Sequence, residues 1–113
     1  MRSEGYSEPP GAIAVMHIFM HTLAMKIVWD EAKRRVNIKK HGLDFADARL
    51  VFAGVTYTFE DSRFDYGEQR FITLGMLHDI VLVIAHTEAT REILIISMRK
   101  ATKNEEAIYF QNL

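Results

Sequence analysis

Arginine, glutamate and histidine side chains flank the apolar runs in the second half of this sequence, and these side chains could do chemistry. Hairpin turns predicted at His78-Asp79 and at Glu88–Thr90 would divide them between the two ends of a sheet. One end gathers five of them: Glu68, Arg70, His86, Glu88 and Arg91. The other end gathers four: His78, Asp79, Arg99 and Lys100. Both ends combine cations with a carboxylate or an imidazole.

This set of residues suits the cleavage of RNA without a metal ion. That reaction needs a base for the 2′-hydroxyl proton, cations for the charge that builds on the phosphate, and an acid for the leaving 5′-oxygen. The guanidinium fork suits the phosphate, so histidine or glutamate would have to transfer the protons. Cysteine is absent, which excludes a thiol nucleophile and a zinc–thiolate site. His17 and His21 lie four residues apart without an acidic ligand beside them, so we predict no metal site and no cofactor.

Arg99 is the strongest single candidate among these residues. It follows Ile93, Ile95 and Ser97 on one face of a predicted strand, and a cation on such a face needs a partner or a ligand. A phosphate group would be a functional ligand. The alternative is a structural ion pair with Asp79 across the hairpin.

Glu68 and Arg70 leave a similar choice open. They lie two positions apart on one side of a strand, where they form either a functional pair or only a surface salt bridge. His41 is better explained as a cation at the carbonyl end of a helix than as a catalytic group.

Length and composition indicate one small domain. The chain has 113 residues, of which 49% are hydrophobic and 26% charged, and this balance supports a single modest core. The formal net charge is −1, so a wide duplex nucleic-acid interface is excluded and any nucleic-acid contact must be local. The lack of cysteine fits a reducing compartment, and we expect the protein to be cytoplasmic.

The segment 1–24 differs in composition from the rest of the chain. It combines a turn-rich start with a short apolar run, which is shorter than the roughly 20 residues that span a bilayer. We expect it to be a disordered extension or the product of an alternative start, and to be dispensable. The single domain is predicted to occupy residues 25–113.

The elements predicted for this domain make an α+β fold. A strand over Lys26–Asp30 leads into a helix that Asp30 caps and Gly42 ends, and a second helix begins at Asp44. A weak strand and a three-stranded meander follow, and the capping box that begins at Thr102 starts the last helix. The predicted architecture is a small antiparallel sheet, a three-stranded meander plus one or two short strands, with two N-terminal helices and one C-terminal helix.

Several short motifs make the chain from Lys26 onward similar to the BrnT family. They are Trp29–Lys33, Asn37 with Lys40–Gly42, Asp44–Phe52, Gly67–Arg70, the sequence "ITLG", and "IISMRKAT" followed by Glu105 and Tyr109. The resemblance implies a RelE-like fold and an endoribonuclease toxin of a type II toxin–antitoxin module. It also implies a BrnA-type antitoxin with a ribbon-helix-helix DNA-binding domain, which would neutralise the toxin and repress the operon together with it.

The polar pattern of the family falls on Glu68, Arg70, Glu88 and Arg99 of this sequence. Ala89 and Leu94 depart from that pattern, because relatives often carry arginine at these two positions. Arg91 would replace the lost charge from a shifted position.

Two functions from different classes remain open at this stage. In the first, the protein is a metal-independent endoribonuclease in which Arg70, Arg91 and Arg99 bind the phosphate. Glu68, Glu88 or a histidine would transfer the protons. In the second, it is a non-catalytic module that docks an antitoxin and acts as a co-repressor, touching DNA only through its partner. Growth arrest on expression of the domain alone would separate the two.

Overall fold

The computed structural model describes residues 5–6 and 25–113 of the chain. Within this part, one five-stranded sheet has the order β1-β5-β4-β3-β2. Its strands are β1 Lys26–Trp29, β2 Thr56–Glu60, β3 Phe71–Leu77, β4 Ile80–Ala89 and β5 Glu92–Lys100. The predicted α+β class is confirmed. Most of the expected segment 1–24 lies outside the described residues.

The prediction of a purely antiparallel sheet is wrong, because β1 pairs with β5 in parallel. Lys26 lies opposite Glu92 and Trp29 opposite Ile95, whereas the other three strand pairs are antiparallel. The meander also has four strands instead of three, since β2 pairs with β3 along its whole length. A parallel neighbour far away in sequence leaves no local signal, which is why the partner of β1 was not predicted.

The two hairpin turns differ in how well they were predicted. The turn at His78-Asp79 is confirmed, because Leu77 pairs directly with Ile80. The second turn was placed too early: β4 continues to Ala89, and Arg91 takes a positive φ of 63° in the turn itself.

Helix α1, Glu31–His41, begins and ends as predicted. The Asp30 side chain accepts a hydrogen bond from the backbone N–H of Lys33, and Gly42 closes the helix with a φ of 71°. Cations occupy its last turn, where the helix dipole favours them. The next segment starts as a short 3₁₀ helix, Phe45–Asp47, capped by Asp44, and continues as α2, Ala48–Phe52. The expected second helix is therefore present but tighter in its first turn.

Helix α3, Lys103–Gln111, carries the complete predicted capping box between Thr102 and Glu105. None of the helices in the described ranges is both long and apolar enough to cross a membrane.

Helices cover both faces of the sheet. We call the first the α2 face, whose buried cluster is Phe45, Ala48, Val51, Phe52, Leu82, Ile84, Ile93, Ile95 and Met98. We call the second the α3 face, whose buried cluster is Tyr6, Tyr57, Phe59, Ile72, Leu74, Val81, Val83, Ile108 and Tyr109. The two covered faces explain why the central strands are apolar on both sides.

A β-bulge in β5 decides which face Arg99 occupies. Ala85 pairs with Ser97, but the next residue of β4, His86, pairs with Ile95, so that Ile96 is an extra residue. Ile95 therefore lies on the α2 face, while Arg99, opposite Val83, lies on the α3 face. The prediction that Arg99 shares a face with Ile93 and Ile95 is wrong, since a one-residue shift reverses the alternation of side chains.

Asn37 of α1 takes the place of a strand partner where β1 ends. Its side-chain Nδ2 donates to the Met98 carbonyl over 2.9 Å, and its Oδ1 accepts from the Met98 N–H over 3.2 Å. The same Nδ2 also donates to the Leu43 carbonyl over 3.0 Å. One buried amide thus joins α1, the following loop and the edge of β5.

We expect Asn37→Ala to lower the free energy of unfolding by about 1–3 kcal/mol, because it leaves buried backbone groups of Met98 and Leu43 without their partner. Urea denaturation measures the change. Arg35→Ala is the matched control, since it removes an exposed side chain from the same helix and should change stability little. Equal stability of the two variants would contradict the bridging role of Asn37.

Candidate functional site

Three arginines come together on the α3 face, and we call them the arginine cluster: Arg63, Arg70 and Arg99. Arg99 comes from β5, and the other two come from the loop 61–70 between β2 and β3. The base of this loop is closed by a hydrogen bond from the Asp61 N–H to the Arg70 carbonyl, 2.8 Å long. That bond continues the β2–β3 ladder by one step and places the loop beside the sheet.

Arg99 pairs with Glu105 of α3 in a two-pronged ion pair. The distances are 2.8 Å from Nη1 to Oε1 and 2.8 Å from Nη2 to Oε2. The alternative predicted for Arg99 was an ion pair with Asp79. In the structure Arg99 pairs instead with Glu105, six positions later in the sequence. The side chain of Glu105 is fully buried, so this pair is part of the interior as well as of the candidate site.

The Glu105 carboxylate also holds two backbone groups. Oε1 accepts from the Thr102 N–H over 2.8 Å, and Oε2 accepts from the Tyr6 N–H over 2.8 Å. Burial opposes the charge on this carboxylate, but the bonds from Arg99 and from these N–H groups outweigh it and hold the pKa of Glu105 below its usual range. Glu105 is consequently ionised at neutral pH and makes a poor proton acceptor.

Arg63 contacts a residue from the N-terminal segment. Its Nη2 donates to the Tyr6 hydroxyl over 2.7 Å, and its guanidinium carbon lies 4.0 Å from the centre of the Tyr6 ring. The Arg99 guanidinium lies 5.6 Å from the centre of the same ring. Tyr6 therefore contacts both arginines, and cation–π attraction favours this arrangement.

Arg63 is also fixed from the other side by Asp61. The Asp61 carboxylate accepts from Arg63 Nε over 3.1 Å and from the Tyr66 hydroxyl over 2.8 Å. Burial opposes its charge, but these two bonds dominate and hold the pKa of Asp61 below its usual range.

Arg70 joins the cluster through Tyr66. Its guanidinium carbon lies 4.1 Å from the centre of the Tyr66 ring, and its Nε donates to Glu68 over 3.2 Å. Because Tyr66 bonds to Asp61 and Asp61 bonds to Arg63, the three arginines form one connected network. Each of them has one carboxylate partner in that network, so the charge of the cluster is balanced locally.

Two predicted site residues lie elsewhere. Glu88 Oε2 is 3.5 Å from His86 Nδ1, and His86 packs against the Phe52 ring on the α2 face. Arg91 lies in the β4–β5 turn, eight positions before Arg99, which corresponds to roughly 26 Å along an extended strand. Arg99, Arg70 and Glu68 thus belong to the connected network, whereas Glu88 lies beside His86 and Arg91 lies at the far end of β5 from Arg99.

Five members of the network were not predicted as site residues: Tyr6, Asp61, Arg63, Tyr66 and Glu105. The loop sequence "DSRFDYGE" contained a usable signal, because it places Arg63 beside the aromatic residues Phe64 and Tyr66. Glu105 was recognised only as part of a capping box, and that local role concealed its bond to Arg99. Within residues 5–6 and 25–113, no group of three or more His, Cys, Asp or Glu side chains could hold a metal ion.

We expect Glu105→Gln to make the free energy of unfolding less sensitive to pH in the acid range. Glu105 binds its proton at lower pH in the folded chain than in the unfolded chain. Its stabilisation is therefore fully present above the unfolded pKa of about 4.3 and is lost as the pH falls through the lowered folded value.

Urea unfolding between about pH 7 and about pH 3 tests this expectation. The native chain should be the more stable protein at neutral pH, and its advantage over Glu105→Gln should shrink below about pH 4. A constant difference across that range would contradict the ionised state assigned to Glu105.

Comparison with known proteins places this network in a family. A sequence model described as ribonuclease toxin, BrnT, of type II toxin–antitoxin system matches residues 29–105. That range includes the whole arginine cluster and Glu105 but not Tyr6. No curated protein matches the chain. Because the match covers more than half of the 113 residues, the chain belongs to the BrnT family of ribonuclease toxins of type II toxin–antitoxin systems.

Proposed function

We propose that this toxin is a metal-independent endoribonuclease that inhibits translation by cleaving RNA at the arginine cluster. The observation that carries the proposal is the network of contacts that connects the three arginines: Arg63 and Arg99 share the Tyr6 ring, and Arg70 is linked to Arg63 through Tyr66 and Asp61. In the absence of a metal ion, guanidinium groups are the natural stabilisers of the negative charge that develops on a phosphate.

Arg63 and Arg70 are the arginines that an RNA phosphate would reach first. Their side chains are 43% and 29% exposed, compared with 17% for Arg99. Their carboxylate partners hold each guanidinium in place, so little conformational entropy is lost when a phosphate binds. Both Nη atoms of Arg99 donate to Glu105, so Arg99 would not bind the phosphate directly and would contribute only positive electrostatic potential.

Glu68 is the carboxylate best suited to accept the 2′-hydroxyl proton. Its side chain is 51% exposed and lies beside Arg70, which would bring the base close to the phosphate. Asp61 and Glu105 are buried and stay ionised because cations and N–H groups hold them, so they serve to position the arginines. Glu88 and Arg91 have no role in this proposal, because Glu88 lies beside the buried His86 and Arg91 lies at the far end of β5 from Arg99.

The proposal predicts RNA cleavage by the purified chain that EDTA does not reduce. Arg63→Ala and Arg70→Ala should each lower the cleavage rate by roughly 10²–10³-fold, as for the loss of one transition-state donor. Gel analysis of a labelled single-stranded RNA measures both effects. Arg49→Ala is the matched control, since it removes an exposed arginine from α2.

Two results would contradict this assignment. Loss of cleavage in EDTA would show that a metal ion takes part in the reaction. Full cleavage by both cluster variants would move the active site elsewhere. Arg99→Ala is a less informative variant, because it leaves the buried Glu105 carboxylate without its cation and should cost roughly 3 kcal/mol of stability.

The family implies an antitoxin partner, and we propose that it is a BrnA-type protein with a ribbon-helix-helix DNA-binding domain. A cell that makes an active ribonuclease must keep it bound, and this toxin would work in the cytoplasm, where its RNA lies. A net charge of −1 gives the chain little attraction for duplex DNA, so we propose that it reaches DNA only through the antitoxin.

Purification of the chain from its native host should therefore recover a small DNA-binding protein in a stable complex. Size-exclusion chromatography followed by mass spectrometry identifies that partner. Recovery of the free monomer under all growth conditions would contradict the proposed antitoxin.

One observation favours the second candidate function, a non-catalytic docking module that acts as a co-repressor. Each arginine of the cluster is paired with a carboxylate, which reduces the potential available to RNA. Expression of the chain alone decides between the two functions. A toxin arrests growth, and Arg63→Ala relieves the arrest, whereas a docking module leaves growth unchanged.

A further inference from the structure

Tyr6 contacts two arginines of the cluster, Arg63 and Arg99, and its role is not explained by the family. The residue lies outside the matched range 29–105, yet its side chain is buried, with 8% of the residue exposed. The residues that Tyr6 contacts are distant in sequence: Arg63 lies 57 positions away and Asn104 lies 98 positions away. Its closest neighbours belong to the loop 61–70, to β5 and to the start of α3.

The backbone of Tyr6 is held at both of its polar groups. Its N–H donates to Glu105 over 2.8 Å, and its carbonyl accepts from the Asn104 side chain over 3.0 Å. These two bonds fix the position of one residue on α3. Buried backbone N–H and C=O groups need such partners, and here both partners belong to α3.

The ring of Tyr6 makes the contacts that proteins offer to unpaired bases. The Arg63 guanidinium lies over its face at 4.0 Å, and the Phe59 ring meets it edge-on at 6.0 Å between centroids. Proteins hold single-stranded nucleic acid by stacking bases on aromatic rings and guanidinium planes while cations track the backbone. The slot filled by Tyr6 has both features, because Phe59 meets the ring and the cations of Arg63 and Arg99 flank it.

Open space continues from this slot along the loop. A groove of about 300 Å³ borders Tyr6 between Phe59 and Arg63. A second groove of about 490 Å³ follows the same loop past Tyr66 as far as Glu68 and Gln69. A nucleotide chain with one base in the Tyr6 slot would therefore have a path that leads past Tyr66 to Glu68.

We propose that Tyr6 is an intramolecular competitor of the RNA substrate. Its ring fills a slot for an unpaired base of single-stranded RNA, and its contacts with Arg63 and Arg99 mask the arginine cluster. RNA binds productively once Tyr6 leaves the slot. This inference rests on the proposed function, since it names the form of the substrate and the regulation of the same site.

The first test compares the affinity of full-chain variants for a short, fluorescein-labelled single-stranded RNA. The RNA carries 2′-O-methyl groups, so binding is measured without cleavage. If Tyr6 fills the slot about nine-tenths of the time, Tyr6→Ala should bind about tenfold more tightly than the native chain. Tyr6→Phe keeps the ring and loses only the hydroxyl contact with Arg63, so its gain should be smaller.

Phe110→Ala is the control, because it removes an aromatic residue that is 53% exposed on α3. It should bind the RNA as the native chain does. A duplex RNA of the same sequence should gain little from Tyr6→Ala, since its bases are not available to the slot.

An engineered disulfide that holds Tyr6 in its slot gives a second test, and this test does not depend on the stability of Tyr6→Ala. A Cβ atom added at Gly5 would lie 3.1 Å from Thr102 Oγ1 and 3.4 Å from Thr102 Cγ2. The two Cβ atoms then lie near the separation of about 3.5–4.5 Å that a disulfide spans. The chain has no cysteine, so Gly5→Cys with Thr102→Cys forms one defined pair. The oxidised form should bind the RNA weakly, and reduction should restore binding.

The possible outcomes separate this inference from the proposed function. The competition by Tyr6 would be overturned if Tyr6→Ala bound RNA no more tightly than the native chain and if oxidation did not change the affinity of the double variant. Cleavage of RNA by the native chain would then still support the ribonuclease. Failure of every form to bind or to cleave RNA would overturn both. Tighter binding by Tyr6→Ala and redox-dependent binding by the double variant would support the inference.

Discussion

The ion pair between Arg99 and Glu105 is the interaction on which the candidate site depends. Glu105 is fully buried at the start of α3, where its carboxylate closes the capping box and holds the N–H of Tyr6. A buried carboxylate without a cation costs several kcal/mol, so the position of Arg99 is fixed by the need to neutralise it. One pair thereby determines where α3 begins, where the guanidinium lies and where the N-terminal segment meets the domain.

The carboxylate partners of the arginines have two opposite effects on the recognition of an anion. Asp61, Glu68 and Glu105 each hold one guanidinium in a defined place, which favours rapid recognition of a phosphate. The same partners reduce the positive potential of the cluster. For the proposed RNA site, weak long-range attraction and well-positioned donors together would favour selectivity over high affinity for any polyanion.

Local sequence signals predicted the elements, and contacts between distant elements were harder to predict. The caps at Asp30, Gly42 and Thr102 and the turn at His78-Asp79 involve neighbours within a few residues, and all are present. The parallel pairing of β1 has no such signal. The contact between Arg63 and Tyr6, 57 positions apart, has no such signal either, although the loop sequence around Arg63 offered a local one.

The bulge at Ile96 explains why Arg99 was assigned to the wrong face of β5. Strict alternation along β5 would place Arg99 on the same face as Ile93 and Ile95, beneath α2. The extra residue reverses the alternation, so Ile95 stays in the apolar α2 cluster while Arg99 turns toward α3. Alternation continues unbroken along β4, where His86 lies on the α2 face. The bulge therefore keeps the apolar side chains of β5 in the core and releases a cation to the opposite face, which a regular strand of this sequence cannot do.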